Sequence, residues 1–184
     1  MAQAAWKSLL TVALATVLSA CGFQLRGTAM VPQALAPLAL SCNQEVPEPV
    51  CSGVRDRLDL YQVRATNEQS PAYHLTLSGY GEQRRTSALN ERAAAAEYEL
   101  SARTTMELTT QDGIPLLAET EVSASEFYQA DEQQVLAGER EQKGMEGLLQ
   151  QRLIRRITRR LMPFTEQRIR QLRREQARSK DTTE

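Results

Sequence analysis

The sequence predicts an α+β fold: a two-layer sandwich with two helices packed on one face of a four-stranded, mostly antiparallel sheet. Three observations predict it. Between Tyr73 and Tyr128, apolar and polar residues alternate with a period of two in three successive runs. Before and after that block, apolar residues recur at helical spacing. Each helix carries one apolar stripe and the sheet one apolar face, so the economical burial puts both helices on the same side.

Ahead of the fold, Lys7 is the only charge in residues 1–20, and Ser8 to Ala20 is an uncharged, largely apolar run. It is shorter than the roughly 20 apolar residues a transmembrane helix needs, so 1–20 reads as a signal peptide. Leu18-Ser19-Ala20-Cys21 resembles the lipobox of bacterial lipoproteins. The small Ser19 and Ala20 suit a narrow protease site. The resemblance implies that Cys21 is acylated and becomes the first mature residue, against an ordinary cut near Ala20 that would leave a free thiol. Several acyl chains are needed for stable anchoring, and a triacylated cysteine supplies them. Gly22 stands where an aspartate would favour retention in the inner membrane, so the outer membrane is the expected site.

Residues 21–37 read as a lipid-anchored lead-in, extended from Val31-Pro32 to Pro37. The folded domain is expected over 38–163. Leu38-Ala39-Leu40 is a short strand ending at Cys42. Pro47 and Pro49 punctuate the chain, and Val50, Val54, Leu58 and Tyr61 mark a short amphipathic helix whose other face carries Arg55, Asp56 and Asp59. The loop joining Cys42 to Cys51 lies in an exported chain, where disulfides persist. A structural bridge is predicted in preference to two buried thiols, and closing that loop would contribute about 2.7 kcal/mol in the chain-entropy treatment.

Tyr73, Leu75 and Leu77 then alternate with His74, Thr76 and Ser78. The cleanest alternation sets Tyr98, Leu100, Ala102, Thr104, Met106 and Leu108 against a polar face, as in a half-buried antiparallel strand. Asp112-Gly113 is a turn signal. Pro115 opens a further strand, whose inward set is expected to be Leu116, Ala118, Thr120, Val122 and Ala124, ending near Phe127 and Tyr128. A long helix follows, with Asp131 and Gln134 spaced as a capping box. Its stripe is Met145, Leu149, Leu153, Ile157 and Leu161, widened by Leu148 and Ile154, and Met162-Pro163 ends or kinks it. Residues 164–184 read as a basic tail. Thr165 is placed to cap a short helix, with Phe164 and Ile169 as a staple, and no apolar face remains after Leu172, so disorder is expected there.

Charge narrows the function classes. The chain has 184 residues, with 22 Lys and Arg against 23 Asp and Glu. Acids dominate the middle and arginines the last quarter, which suggests an anionic partner for the C-terminal part. An exported chain that is not basic overall is a poor nucleic-acid binder. His74, the single histidine, alternates on a strand and belongs to no nucleophile-elbow motif. No glycine-rich phosphate loop or metal-ligand spacing occurs, so neither enzyme nor cofactor is expected.

The order of elements, together with short motifs, carries a resemblance. These are Cys21-Gly22-Phe23-Gln24-Leu25-Arg26-Gly27 with Val31-Pro32, then Ala95-Ala96-Glu97-Tyr98-Glu99-Leu100, then Val135-Leu136-Ala137 with Glu141. In these the chain resembles the LptE (RlpB) family of lipopolysaccharide-assembly lipoproteins, over the mature chain up to Pro163. The resemblance implies two helices on a four-stranded sheet. It implies an outer-membrane lipoprotein on the periplasmic side, complexed with the LptD β-barrel as plug and folding aid, and a lipopolysaccharide-binding role. Gly138 departs from relatives that carry a basic residue after the Leu-Ala pair, although Arg140 and Lys143 are near.

Guanidinium groups match phosphate oxygens, so Arg84, Arg85 and Arg92, flanking the turn between the first two meander strands, are candidate contacts for lipopolysaccharide or the barrel wall. Arg140 and Lys143 are outer candidates, and a merely solvated charged hairpin is the competing reading. The arginines of the long helix line the barrel or keep the helix soluble. An alternative function is a lipid-anchored periplasmic module for an anionic envelope component without a barrel partner. An envelope hydrolase ranks last.

Overall fold

A computed structural model describes residues 30–66, 69–129 and 135–181, with backbone alone for 135–142 and 179–181. The expected signal peptide, Cys21 and the expected Asp131–Gln134 capping box lie outside the described residues. A 3-10 turn at Gln33–Leu35 leads into β1 (Leu38–Cys42), α1 (Glu48–Leu60), β2 (Tyr73–Leu89), β3 (Ala95–Thr110), β4 (Pro115–Gln129), α2 (Val135–Leu161) and α3 (Glu166–Asp181).

The strands form one sheet in the order β1-β2-β3-β4. Strand β1 runs parallel to β2, reached through α1, from Leu38↔Tyr73 to Cys42↔Leu77. The other pairings are antiparallel. Helices pack against this sheet in the predicted α+β arrangement, with α3 in place of the short C-terminal helix predicted at Thr165.

Each element forms for a local reason. Pro47 caps α1, Pro49 sits in its first turn, and Val50, Cys51, Val54 and Leu58 face inward. Gln62 takes a left-handed backbone (φ 56°), letting the Val63 N–H donate back to Leu58 O at 3.0 Å and the chain leave the helix. Cys42 and Cys51 are joined by a disulfide that ties the end of β1 to the first turn of α1. Leu75 and Leu77 from β2, Leu100, Ala102, Met106 and Leu108 from β3, and Leu149, Leu153, Ile157 and Leu161 from α2 join one buried cluster with the α1 face.

Two expected inward residues point out. Leu148 is 47% exposed, because it stands beside the α2 stripe on the solvent side. Ala118 is exposed because the β3–β4 register slips between Met106↔Thr120 and Leu108↔Leu117. One extra β4 residue there breaks the alternation.

The C-terminal helix is longer than predicted. Phe164 and Ile169 are buried, and Thr165 Oγ1 accepts from the Arg168 N–H at 3.4 Å. Beyond Leu172, where the apolar face runs out, α3 continues to Asp181. Arginine, glutamine, glutamate and alanine are good helix formers, and i,i+4 pairs support them: Arg170 with Glu166 at 3.1 Å and Gln171 with Glu175 at 2.8 Å.

Candidate functional site

The arm that carries the candidate arginines begins at a bulge. Between Ser78↔Thr105 and Gly81↔Arg103, β2 inserts an extra residue, and Gly79 makes it possible with φ +60°. Thr104 Oγ1 donates to Ser78 O at 2.8 Å, and the Gly79 N–H donates to Glu45 Oε2 at 3.2 Å. Past the bulge, β2 from Glu82 to Leu89 is exposed.

The bulge sets which face each side chain takes. Glu82 pairs with Ala102, Arg84 with Leu100, and Thr86 with Tyr98, so these side chains share the buried, helix-side face. There the Arg84 guanidinium lies 4.9 Å from the Tyr98 ring centroid, and Tyr98 and Tyr128 stack with centroids 5.5 Å apart. The buried Tyr128 hydroxyl meets no partner at full hydrogen-bond geometry. Its proximity to Arg84 is nonetheless the main influence raising the Arg84 pKa, so Arg84 stays a cation. Tyr80 donates to Glu82; burial first, then that carboxylate, pushes the Tyr80 hydroxyl pKa well up.

Arg85, one residue on, faces the opposite side. It pairs with Glu99 at 2.5 Å, a carboxylate buried beside Phe127, its neighbour on β4. Arg84 and Arg85 therefore sit within the strand on opposite faces, not beside the turn. Arg92 alone occupies the turn, which Asn90 Oδ1 holds by accepting from the Arg92 and Ala94 N–H groups at 2.9 and 3.0 Å. Its side chain is exposed, as is Lys143 on α2. The Arg140 side chain lies outside the described residues. The predicted set is thus spread over two faces and a tip.

Strand β4 is an edge of the sheet, and arginines of α2 cover it. Arg152 Nη1 donates to Ser125 O at 3.3 Å and Arg156 Nη1 to Ser123 O at 2.5 Å. Arg152 also pairs with Glu126 at 2.5 Å. With Arg159 and Arg160, Arg156 lines an open groove of about 470 Å³ against Glu121 and Ser123. The sequence signal for this role was the i,i+4 spacing of Arg152, Arg156 and Arg160 beside the apolar stripe. Only the packed sheet shows that Arg152 and Arg156 meet the carbonyls of the last strand, β4.

His74 sits in β2 between Ala39 and Thr109. Among the described residues there is no cluster of three or more His, Cys, Asp or Glu suited to a metal, and no helix is long and apolar enough to cross a membrane. Guanidinium groups on the β2–β3 arm, along the β4 edge and on α3, interspersed with exposed carboxylates, are the exposed groups suited to phosphate and carboxylate partners.

The family model LptE, described as Lipopolysaccharide-assembly, matches residues 35–162. That span covers β1 through α2. The chain belongs to the LptE family. Solved structures share the fold of this LptE-family chain. Rare lipoprotein B from Shewanella oneidensis superposes with a TM-score of 0.56 at 24% identity, covering 66% of this chain and 89% of that one. A minor lipoprotein from Acinetobacter baumannii gives 0.58 at 19% identity, covering 70% and 92%. Lipoprotein B from Nitrosomonas europaea gives 0.62 at 17% identity, covering 78% and 92%. These likenesses concern the fold. Among curated proteins, none matches this LptE-family chain in sequence. Lipopolysaccharide assembly is the process to which its family assigns it.

Proposed function

We propose that the chain is an outer-membrane lipoprotein, anchored through acylated Cys21 on the periplasmic side, that complexes with an LptD-like β-barrel. There it serves as plug and folding aid and contributes lipopolysaccharide contacts through cationic side chains. The observation that carries this reading is the family match across the whole sheet and both of its main helices. The lipobox-like Leu18-Ser19-Ala20-Cys21 supports the anchor. The projecting arm and the arginine-covered β4 edge offer polar surfaces suited to a wet barrel interior. The role proposed is non-enzymatic.

Affinity purification of the tagged chain from detergent-solubilised envelopes tests it. The expected result is co-isolation of one large β-barrel in one-to-one ratio, identified by mass. Isolation of the chain without a barrel, but with bound anionic polymer, would favour the barrel-free binding module. Recovery in the soluble fraction, with no acyl label on Cys21, would overturn the anchor.

A further inference from the structure

Helix α3 lies beyond the family-matched residues 35–162 and presents two unlike faces. One is committed to the domain. Ile169 is buried, Arg173 pairs with Asp112 at 3.7 Å, and Gln176 Nε2 donates to Pro115 O at 2.9 Å. The opposite face carries Arg170, Arg174 and Arg178 at i,i+4 spacing, all exposed. Arg170 pairs with Glu166 at 3.1 Å, and Glu175 shares the groove of the three arginines. This outer face is therefore mixed, with basic side chains in excess, and with the apolar residues spent on the domain it has no wedge for insertion.

The domain contacts also fix where that face lies. Asp112 lies in the turn between β3 and β4, and Pro115 opens β4. The same end of the sheet receives the lead-in: Pro37 O accepts from the Ala72 and Tyr73 N–H groups at 2.9 and 3.3 Å, and Ala72 O accepts from the Gln111 N–H at 2.9 Å. From β1 to β4 is three strand spacings, about 14 Å. The stretch from Cys21 to Met30 can span at most roughly 32 Å when fully extended. Helix α3 is itself about 24 Å long. A membrane entered by acyl chains on Cys21 therefore lies within reach of the arginine face.

We propose that the Arg170–Arg174–Arg178 face of α3 rests on anionic phospholipid headgroups of the membrane that holds the anchor. The inference rests on acylation of Cys21. Phosphate-bearing headgroups complement the stripe in charge and in hydrogen-bond geometry. Each basic side chain near such a surface favours the contact about fivefold, and the attraction fades within a Debye length. The contact is electrostatic and salt-labile, and it holds α3 against the membrane surface.

The test uses the full lipidated chain reconstituted with vesicles of phosphatidylcholine alone or mixed with phosphatidylglycerol, followed by hydrogen–deuterium exchange across α3. On the anionic vesicles the α3 amides should exchange at least about tenfold more slowly, and high salt should abolish the difference. The variant R170Q/R174Q/R178Q should lose the slowing while exchange in β2 and β3 stays unchanged, and R170K/R174K/R178K should retain it. Equal α3 exchange on both vesicles, or slowing that survives high salt or the glutamine variant, would overturn the contact. Flotation with the neutral vesicles reports the anchor separately. A chain that floats without anionic slowing refutes the α3 contact alone, whereas a chain that does not float refutes the anchor and the proposal with it.

Discussion

A Cβ placed on Gly53 would stand 2.4 Å from Cδ1 of Ile154, so α1 and α2 approach each other where α1 has no side chain. Replacing Gly53 with alanine gains about 1 kcal/mol of helix propensity but crowds Ile154, at a cost of about 1–3 kcal/mol. Gly53→Ala should therefore be neutral to mildly destabilising, and Gly53→Leu should lose about 3 kcal/mol. Ile154→Val removes the crowding atom, so the Gly53→Ala/Ile154→Val pair should be more stable than the sum of the single changes by about 1 kcal/mol. Urea denaturation of the four proteins in the cycle measures this; strict additivity would show that the helices can separate freely.

The bridge between Cys42 and Cys51 closes a short loop. Constraining the unfolded chain this way contributes about 2.7 kcal/mol. Unfolding of the Cys42→Ser/Cys51→Ser chain should fall short of the parent by about 2–3 kcal/mol, and reductant should lower only the parent. A reductant-insensitive parent would remove the bridge from the account of stability.

Much of this fold is legible in local periodicity, and the failures share a cause. Strand β3 is held between β2 and β4, so its pleat is undistorted and the run from Leu100 to Leu108 reads directly as inward and outward sides. Gly79 and Ala118 sit where a strand carries an extra residue, and a period-two pattern has no mark for that. The same bulge lets β2 run on past Tyr80, putting Arg84 and Arg85 on opposite faces of a strand although adjacency in sequence suggests a cluster. The family resemblance legible in the sequence rests on short motifs in order, which survive such local slips. Arg152 and Arg156 read as lining a barrel or keeping the helix soluble, not as covering a sheet edge, since their partners are backbone carbonyls about thirty residues away.

Those two arginines lead to a prediction about association. The carbonyls of Ser123 and Ser125 line an edge strand, and an uncovered edge is a template for pairing with another chain. Arg152 is 45% exposed but its partner Glu126 only 14%, so Arg152→Gln/Arg156→Gln leaves a largely buried carboxylate without its cation and should cost about 1–3 kcal/mol of folding stability. Self-association should change as well. Light scattering of the double variant should rise at protein concentrations where the parent stays monodisperse. Scattering equal to the parent's would show that the edge is protected by other means.

The arm arginines differ in what their loss would disturb, and that difference makes the lipopolysaccharide test interpretable. Arg84→Glu breaks the contact with Tyr98 and puts a carboxylate near Glu82, so it should cost at least the about 0.5–1 kcal/mol of the cation–π pair. Arg85→Glu leaves the buried Glu99 facing a like charge and should also destabilise. Arg92 is exposed in its turn, and Arg92→Glu should leave stability within about 0.5 kcal/mol. In a lipopolysaccharide pull-down all three reversals should weaken retention, and the Arg92 variant reads binding without a folding penalty. If Arg92→Glu binds as the parent does while the other two lose binding only in proportion to their unfolding, the arm serves the fold and lipopolysaccharide is met elsewhere on the chain.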